Sequence, residues 1–115
     1  MGEASIVFGR IHSYSDVGMK KNIELVSKLP SSKISVPYFT SEMFNRSISS
    51  AKGEYVLGFA RIYKNAESYW EEWIEEFEEL ILKMDWESII VILETEMFGT
   101  HQYFWQKKYH GTNRE

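Results

Sequence analysis

The chain has 115 residues, a formal net charge of −4, 43% hydrophobic and 16% aromatic residues, and no cysteine. This length predicts a single domain over residues 1–115 that is large enough to bury a core, with residues 110–115 as a tail. The composition excludes a disulfide framework, a thiolate metal site and a cysteine nucleophile, and the negative charge disfavours nucleic acid as a partner.

The first third of the chain predicts a strand followed by a helix. Residues 5–11 alternate as a strand does, with Val7, Gly9 and Ile11 on one face. Ser15 or Asp16 can cap a helix over residues 17–29. Its expected core stripe is Met19, Ile23 and Val26. Its expected outward residues are Lys20, Lys21, Asn22 and Lys28.

Residues 31–52 have a mixed composition that predicts little regular structure. Two short extended pieces are expected, at 33–36 and 38–40, with a helical turn at 41–48. Pro37 would confine any strand here to the edge of a sheet, because proline has no N–H to donate.

The second half predicts a strand, a helix and two further strands. Residues 54–63 alternate as a strand, Asn65 can cap a helix over 66–84, and residues 88–97 are apolar on both faces, as a central strand is. A hairpin at 98–100 then leads into a last strand over 101–110. The predicted fold is α+β, a largely antiparallel sheet of four to five strands with two amphipathic helices on one face.

The faces of that sheet are predicted from its small residues. We expect Val7, Gly9 and Ile11, with the even residues 56–62, to lie beneath the helices, since bulky tryptophans need room there. The opposite face would then be aromatic and would carry Phe59, Arg10 and Arg61, together with either Tyr103, Trp105 and Lys107 or the opposite set of the last strand. Such a face would have to be covered by residues 31–52, by a second copy of the chain, or by a partner.

The helix over 66–84 is strongly acidic on the side opposite its apolar stripe. It carries seven glutamates and one lysine, a formal charge of −6, so the remainder of the chain sums to +2. Like charges four residues apart repel each other, and no lysine is interleaved to relieve them. The pattern is typical of a solvated helix face, but it equally suits a surface that attracts a basic protein.

Other polar residues give weaker evidence for a metal, catalytic or ligand-binding site. His12, His101 and His110 lack the spacing of a metal site and are interpreted as surface or turn residues. Glu94 and Glu96 share a strand face, most simply as the end of the buried part of that strand. Arg10 and Arg61 could pair with these glutamates or bind an anionic ligand. No metal, cofactor or catalytic residue is predicted.

Residues 63–108 (YKNAESYWEEWIEEFEELILKMDWESIIVILETEMFGTHQYFWQKK) resemble small immunity proteins that accompany bacterial secreted toxins. The resemblance implies a cytoplasmic, stoichiometric inhibitor that covers the active site of a toxin domain, such as a basic nuclease. It transfers no residue roles, because it involves no diagnostic motif.

The function expected from the sequence is therefore a non-enzymatic protein-binding domain without membrane segments. The expected contacts come from the acidic helix or the aromatic sheet face, namely Glu71, Glu72, Glu75, Glu76, Glu79, Phe59, Arg61, Trp105 and Arg10. One alternative is a small-ligand or enzyme domain around Arg10, Arg61 and Glu94. A further alternative is a homodimer closed through the aromatic face.

Overall fold

The computed structural model describes residues 4–31, 38–46, 49–108 and 111–114. The strands are β1 (Ala4–Ser13), β2 (Ser49–Ala51), β3 (Glu54–Lys64), β4 (Ser88–Thr95), β5 (Gly99–Lys108) and β6 (Gly111–Arg114). The helices are α1 (Asp16–Ser27) and α2 (Trp70–Ile81), and short 3-10 turns occupy Ser41–Met43 and Ala66–Tyr69. The predicted α+β class, with two helices on one face of an antiparallel sheet, is confirmed.

The strands form one antiparallel sheet in the order β2-β3-β1-β4-β5-β6. β1 and β4 lie at its centre, as the apolar character of residues 88–97 predicted. Residues 111–114, which were predicted to be part of a tail, instead pair with β5 as an edge strand. The extended piece predicted at 38–40 is not a strand, and the one at 33–36 lies outside the described residues.

The register between β1 and β3 corrects the predicted sheet faces. Gly9 lies opposite Phe59 and Ile11 opposite Leu57, and residues directly opposite each other share a face. The helices therefore cover the odd residues of both strands, so the prediction for β1 is right and that for β3 is wrong. Gly9 accommodates the Phe59 ring rather than a tryptophan of α2, because a Cβ at Gly9 would lie 2.8 Å from the Phe59 Cζ.

The core lies between this sheet face and the helices, and it is largely aromatic. Phe77 of α2 stacks on Trp73 and also contacts the rings of Phe59 and Trp105. Residues 38–46 close the layer, since Phe39 packs against both Trp73 and Phe77. The aromatic face is thus covered within the chain, by the helices and by the described part of residues 31–52.

Of the two predicted helix caps, the one at α1 is confirmed and the one at Asn65 is wrong. The Ser15 Oγ accepts a hydrogen bond from the Gly18 N–H at 2.9 Å, which is the predicted cap of α1. Asn65 adopts a left-handed conformation and makes no side-chain cap. Its carbonyl oxygen instead accepts hydrogen bonds from the backbone N–H and the hydroxyl of Ser68.

Asn22 was predicted to face solvent, but it is fully buried. Its Nδ2 donates to the Asp85 carbonyl oxygen at 2.7 Å, and its Oδ1 accepts from the Asp85 N–H at 2.9 Å. One side chain thereby satisfies both backbone groups of a loop residue and ties α1 to the segment that leads from α2 to β4.

Neither helix covers the opposite side of the sheet, which we call the outer sheet face. It consists of the even-numbered residues 6–12 of β1, 56–62 of β3, 88–94 of β4 and 100–106 of β5. Ile62 and Ile6 are 69% and 40% exposed there, whereas Val7 and Ile11 on the helix side are fully buried.

Candidate protein-binding surface

The buried stripe of α2 orients its acidic residues. Trp73, Phe77 and Ile81 face the core, and Trp70, Ile74 and Leu80 pack partly against it. The residues between them must point away from the sheet, because they lie on the opposite side of the helix axis from this stripe. Five exposed glutamates therefore share one surface, which we call the acidic face: Glu71, Glu72, Glu75, Glu76 and Glu79.

Two further glutamates of this segment accept hydrogen bonds that stabilise the fold. Glu67 accepts a hydrogen bond from the buried Ser5 hydroxyl at 2.8 Å, and Glu78 accepts one from the Trp105 indole N–H at 2.9 Å. The seven glutamates that looked equivalent in sequence thus divide into two that are half-buried and bonded to strand residues, and five that are exposed on the surface. All five of the latter had been predicted as partner contacts.

The charges of the acidic face repel one another. Partial burial, followed by repulsion from Glu72 and Glu79, raises the pKa of Glu76 above its ordinary value of 4.5. Within the described residues, no lysine or arginine forms an ion pair with these five carboxylates. The Tyr38 hydroxyl donates a hydrogen bond to Glu72, and this bond is the main reason that the pKa of Tyr38 rises to about 12.

We expect Glu76→Gln to stabilise the fold near neutral pH by about 0.5 kcal/mol, because it relieves like-charge repulsion along the helix. A carboxyl whose pKa is raised by folding contributes its full stabilisation to the folded state below its ordinary pKa. That stabilisation is lost as pH rises through the raised pKa. The gain should therefore shrink toward zero as pH falls below about 4.5. Urea unfolding across this pH range measures it.

Glu24→Gln is the matched control for this prediction. Glu24 pairs with Lys28 at 3.4 Å on α1, so its neutralisation should leave stability unchanged or slightly lower at neutral pH. A loss of stability in Glu76→Gln would contradict the idea that the acidic face is destabilising.

An open groove of about 650 Å³ adjoins the acidic face at the carboxyl end of α2. Its lining combines carboxylates with apolar side chains: Glu75, Glu78, Glu79, Ile81, Leu82, Trp86 and Trp105. Leu82 is 83% exposed, and the Lys107 ammonium lies 4.7 Å from the centre of the Trp86 ring. Apolar walls with an acidic rim suit a lysine or arginine side chain, which has an aliphatic stem and a cationic head.

Two predicted contacts are almost fully buried on the helix side of the sheet. Phe59 and Trp105 are 5% and 4% exposed, so the prediction that they present an aromatic sheet face to a partner is wrong. A homodimer that depended on these two side chains would need them to be exposed, and they are buried. Trp105 nevertheless lines part of the groove beside α2.

Arg10 and Arg61 were predicted on one sheet face but lie on opposite faces. Arg10 is on the outer sheet face, where its Nη1 donates to the Ser88 hydroxyl at 3.2 Å. Arg61 is on the helix side, with its guanidinium 4.8 Å from the Tyr63 ring centre and its Nη1 3.0 Å from the Tyr38 carbonyl oxygen. The ligand site suggested around Arg10, Arg61 and Glu94 is therefore not assembled.

The outer sheet face also holds a row of hydrogen-bonded polar side chains that the sequence did not predict. Ser88 Oγ lies 3.5 Å from His12 Nδ1, and His12 Nε2 lies 2.9 Å from Glu54 Oε1. Cross-strand pairing brings these residues together, and only the alternation of β1 and β4 hinted that they share a face. Arg10 already donates to the Ser88 hydroxyl, and the Glu54 side chain is 56% exposed. We therefore interpret these side chains as a surface hydrogen-bond network.

No protein family, curated protein or solved structure matches this chain. Across the described segments, no three histidine, aspartate or glutamate side chains are grouped to hold a metal ion. No helix among those segments is long and apolar enough to cross a membrane.

Proposed function

We propose that this chain is a non-enzymatic binding protein that recognises a basic protein through the acidic face of α2. The observation that carries the proposal is the set of five exposed carboxylates, which form no ion pair with lysine or arginine in the described part of the chain. Their mutual repulsion is unfavourable in the free protein and would be relieved by a cationic partner.

The groove beside the acidic face supports the same proposal and narrows the chemistry of the partner. Binding energy at protein interfaces concentrates where an anchor enters a largely apolar pocket surrounded by polar groups. The walls formed by Leu82 and Trp86 can take the stem of an arginine or lysine, while Glu75 and Glu79 take its charge. The partner surface is expected to carry several cationic residues with one inserted side chain.

The resemblance to immunity proteins extends the proposal to a biological role. In that role the chain acts in the cytoplasm and neutralises a toxin domain, such as a basic nuclease, by covering its active site. Attraction between a negative inhibitor surface and a positive enzyme accelerates association, and rapid association favours neutralisation before the toxin acts.

The test is affinity capture from the native cells with the tagged protein, followed by titration of the purified pair. We expect one basic protein at equal stoichiometry, with binding that weakens as salt rises from about 50 to 500 mM. Replacing Glu72, Glu75, Glu76 and Glu79 with glutamine should weaken binding by about 100-fold, because these charges both steer and hold the partner.

The matched control removes four negative charges elsewhere, with Asp16, Glu24, Glu54 and Glu96 changed to their amides. These residues are exposed and lie outside α2, so this variant has the same net charge as the first. Its affinity should remain within about threefold of that of the unaltered chain. Equal losses in both variants would indicate a nonspecific charge effect and would refute a site on α2.

A further inference from the structure

The outer sheet face is apolar at its centre, although neither α1 nor α2 covers it. Phe8 of β1 lies directly opposite Ile92 of β4, and Ile6, Ile62, Ile90 and Phe104 surround this pair. Antiparallel sheets normally expose a polar face when one side is left to solvent. An apolar centre on such a face is typical of a surface that binds another protein.

Two opposite charges, Arg10 and Glu94, flank this apolar centre. Arg10 lies two residues beyond Phe8 on β1, and Glu94 lies two residues beyond Ile92 on β4 in the opposite direction along the sheet. Both residues are half-buried, and in the described chain neither forms an ion pair. They cannot reach each other, because four residues of strand separate their positions by about 13 Å.

The placement of these charges is self-complementary. A two-fold axis between two stacked sheets, passing over the Phe8–Ile92 pair and running nearly across the strands, puts each Arg10 over the Glu94 of the second copy. With strands about 4.8 Å apart and residues about 3.4 Å apart, that axis makes the strands of the two sheets cross at roughly 40°. Stacked sheets commonly cross at about 30°, so this is an ordinary geometry for a β-sandwich.

We propose that two copies of this chain form a symmetric dimer through their outer sheet faces, with each Arg10 paired to the Glu94 of the other copy. The sixteen positions of the face cover roughly 500 Å² per copy, which is close to the lower limit for a specific interface. The dimer is therefore expected to dissociate on dilution. The acidic faces, on the far sides of the two sheets, remain free in this dimer.

Sedimentation equilibrium of the purified chain between roughly 1 µM and 1 mM tests the proposal. The mass should rise from that of one chain, 13.6 kDa, toward twice that value. R10E and E94R should each remain single chains, because each places like charges against each other twice. An equimolar mixture of the two variants should dimerise, because both pairs across the interface are then opposite in charge.

Recovery in the mixture separates the proposed pairing from misfolding, since an unfolded variant cannot regain a partner. E79R on the acidic face is the control and should dimerise as the unaltered chain does. A single-chain mass for the unaltered protein at every concentration would overturn the proposal, as would dimers of R10E and E94R that match it. The measurement involves no other protein, so its failure would leave the proposed role of the acidic face unaffected.

Discussion

Gly9→Ala is expected to lower the free energy of unfolding by about 3 kcal/mol, the upper end of the usual cost of overpacking. A Cβ at this position would lie 2.0 Å from the Ile90 carbonyl oxygen and 2.8 Å from the Phe59 Cζ. The Phe59 ring can tilt, but the carbonyl belongs to the backbone of the neighbouring strand. Because β1 and β4 are the two central strands, moving them apart disturbs the whole sheet. Urea unfolding followed by tryptophan fluorescence measures the loss.

Gly58→Ala is the matched control in the same sheet. Its nearest heavy atom would be the Gly9 carbonyl oxygen at 3.8 Å, which is an ordinary van der Waals contact. The substitution also restricts the unfolded chain, so stability should be unchanged or higher by about 0.5 kcal/mol. Equal destabilisation by the two alanines would show that close packing at Gly9 is not the cause.

Asn22→Ala is expected to destabilise the protein by about 2–3 kcal/mol, because it leaves a backbone donor and a backbone acceptor of Asp85 without their partners. Asn22 is fully buried, and its two hydrogen bonds hold the loop that follows α2 against α1. Alanine is the better helix former, so the loss cannot be attributed to helix propensity. The midpoint of urea unfolding measures this loss.

Lys21→Ala is the control for that effect. Lys21 neighbours Asn22 on the same helix but is exposed, so its truncation should change stability by less than about 0.5 kcal/mol. Amide exchange gives a second measurement, since Asn22→Ala should accelerate exchange at the Asp85 N–H more than elsewhere. Unaltered protection of that amide would contradict the assigned role of Asn22.

The acidic face was predictable because its placement depends on helical periodicity alone. Once Trp73, Phe77 and Ile81 face the core, the positions of Glu72, Glu75 and the other exposed glutamates follow from 3.6 residues per turn. The distinct contacts of Glu67 and Glu78 were not predictable. Both accept hydrogen bonds from residues of distant strands, Ser5 and Trp105, which local spacing does not reveal.

The predicted contacts of the sheet depended on which face of β3 is buried beneath the helices, and the sequence leaves this open. β3 has apolar residues on both faces, so either the set with Phe59 or the set with Ala60 could lie beneath the helices. The smaller set was predicted, and the larger one is buried. The errors for Phe59 and Arg61, and for Arg10 beside Arg61, all follow from this single reversal of face.

Local alternation, the helical period and turn residues were enough to predict the α+β class, the antiparallel sheet, the two amphipathic helices and the direction of the acidic face. The buried face of β3, the pairing of residues 111–114 with β5 and the burial of Asn22 became known from the folded chain alone. Each of these depends on which residue lies opposite or beneath another across many positions of sequence. That information resides in strand register and packing, which a periodic pattern does not contain.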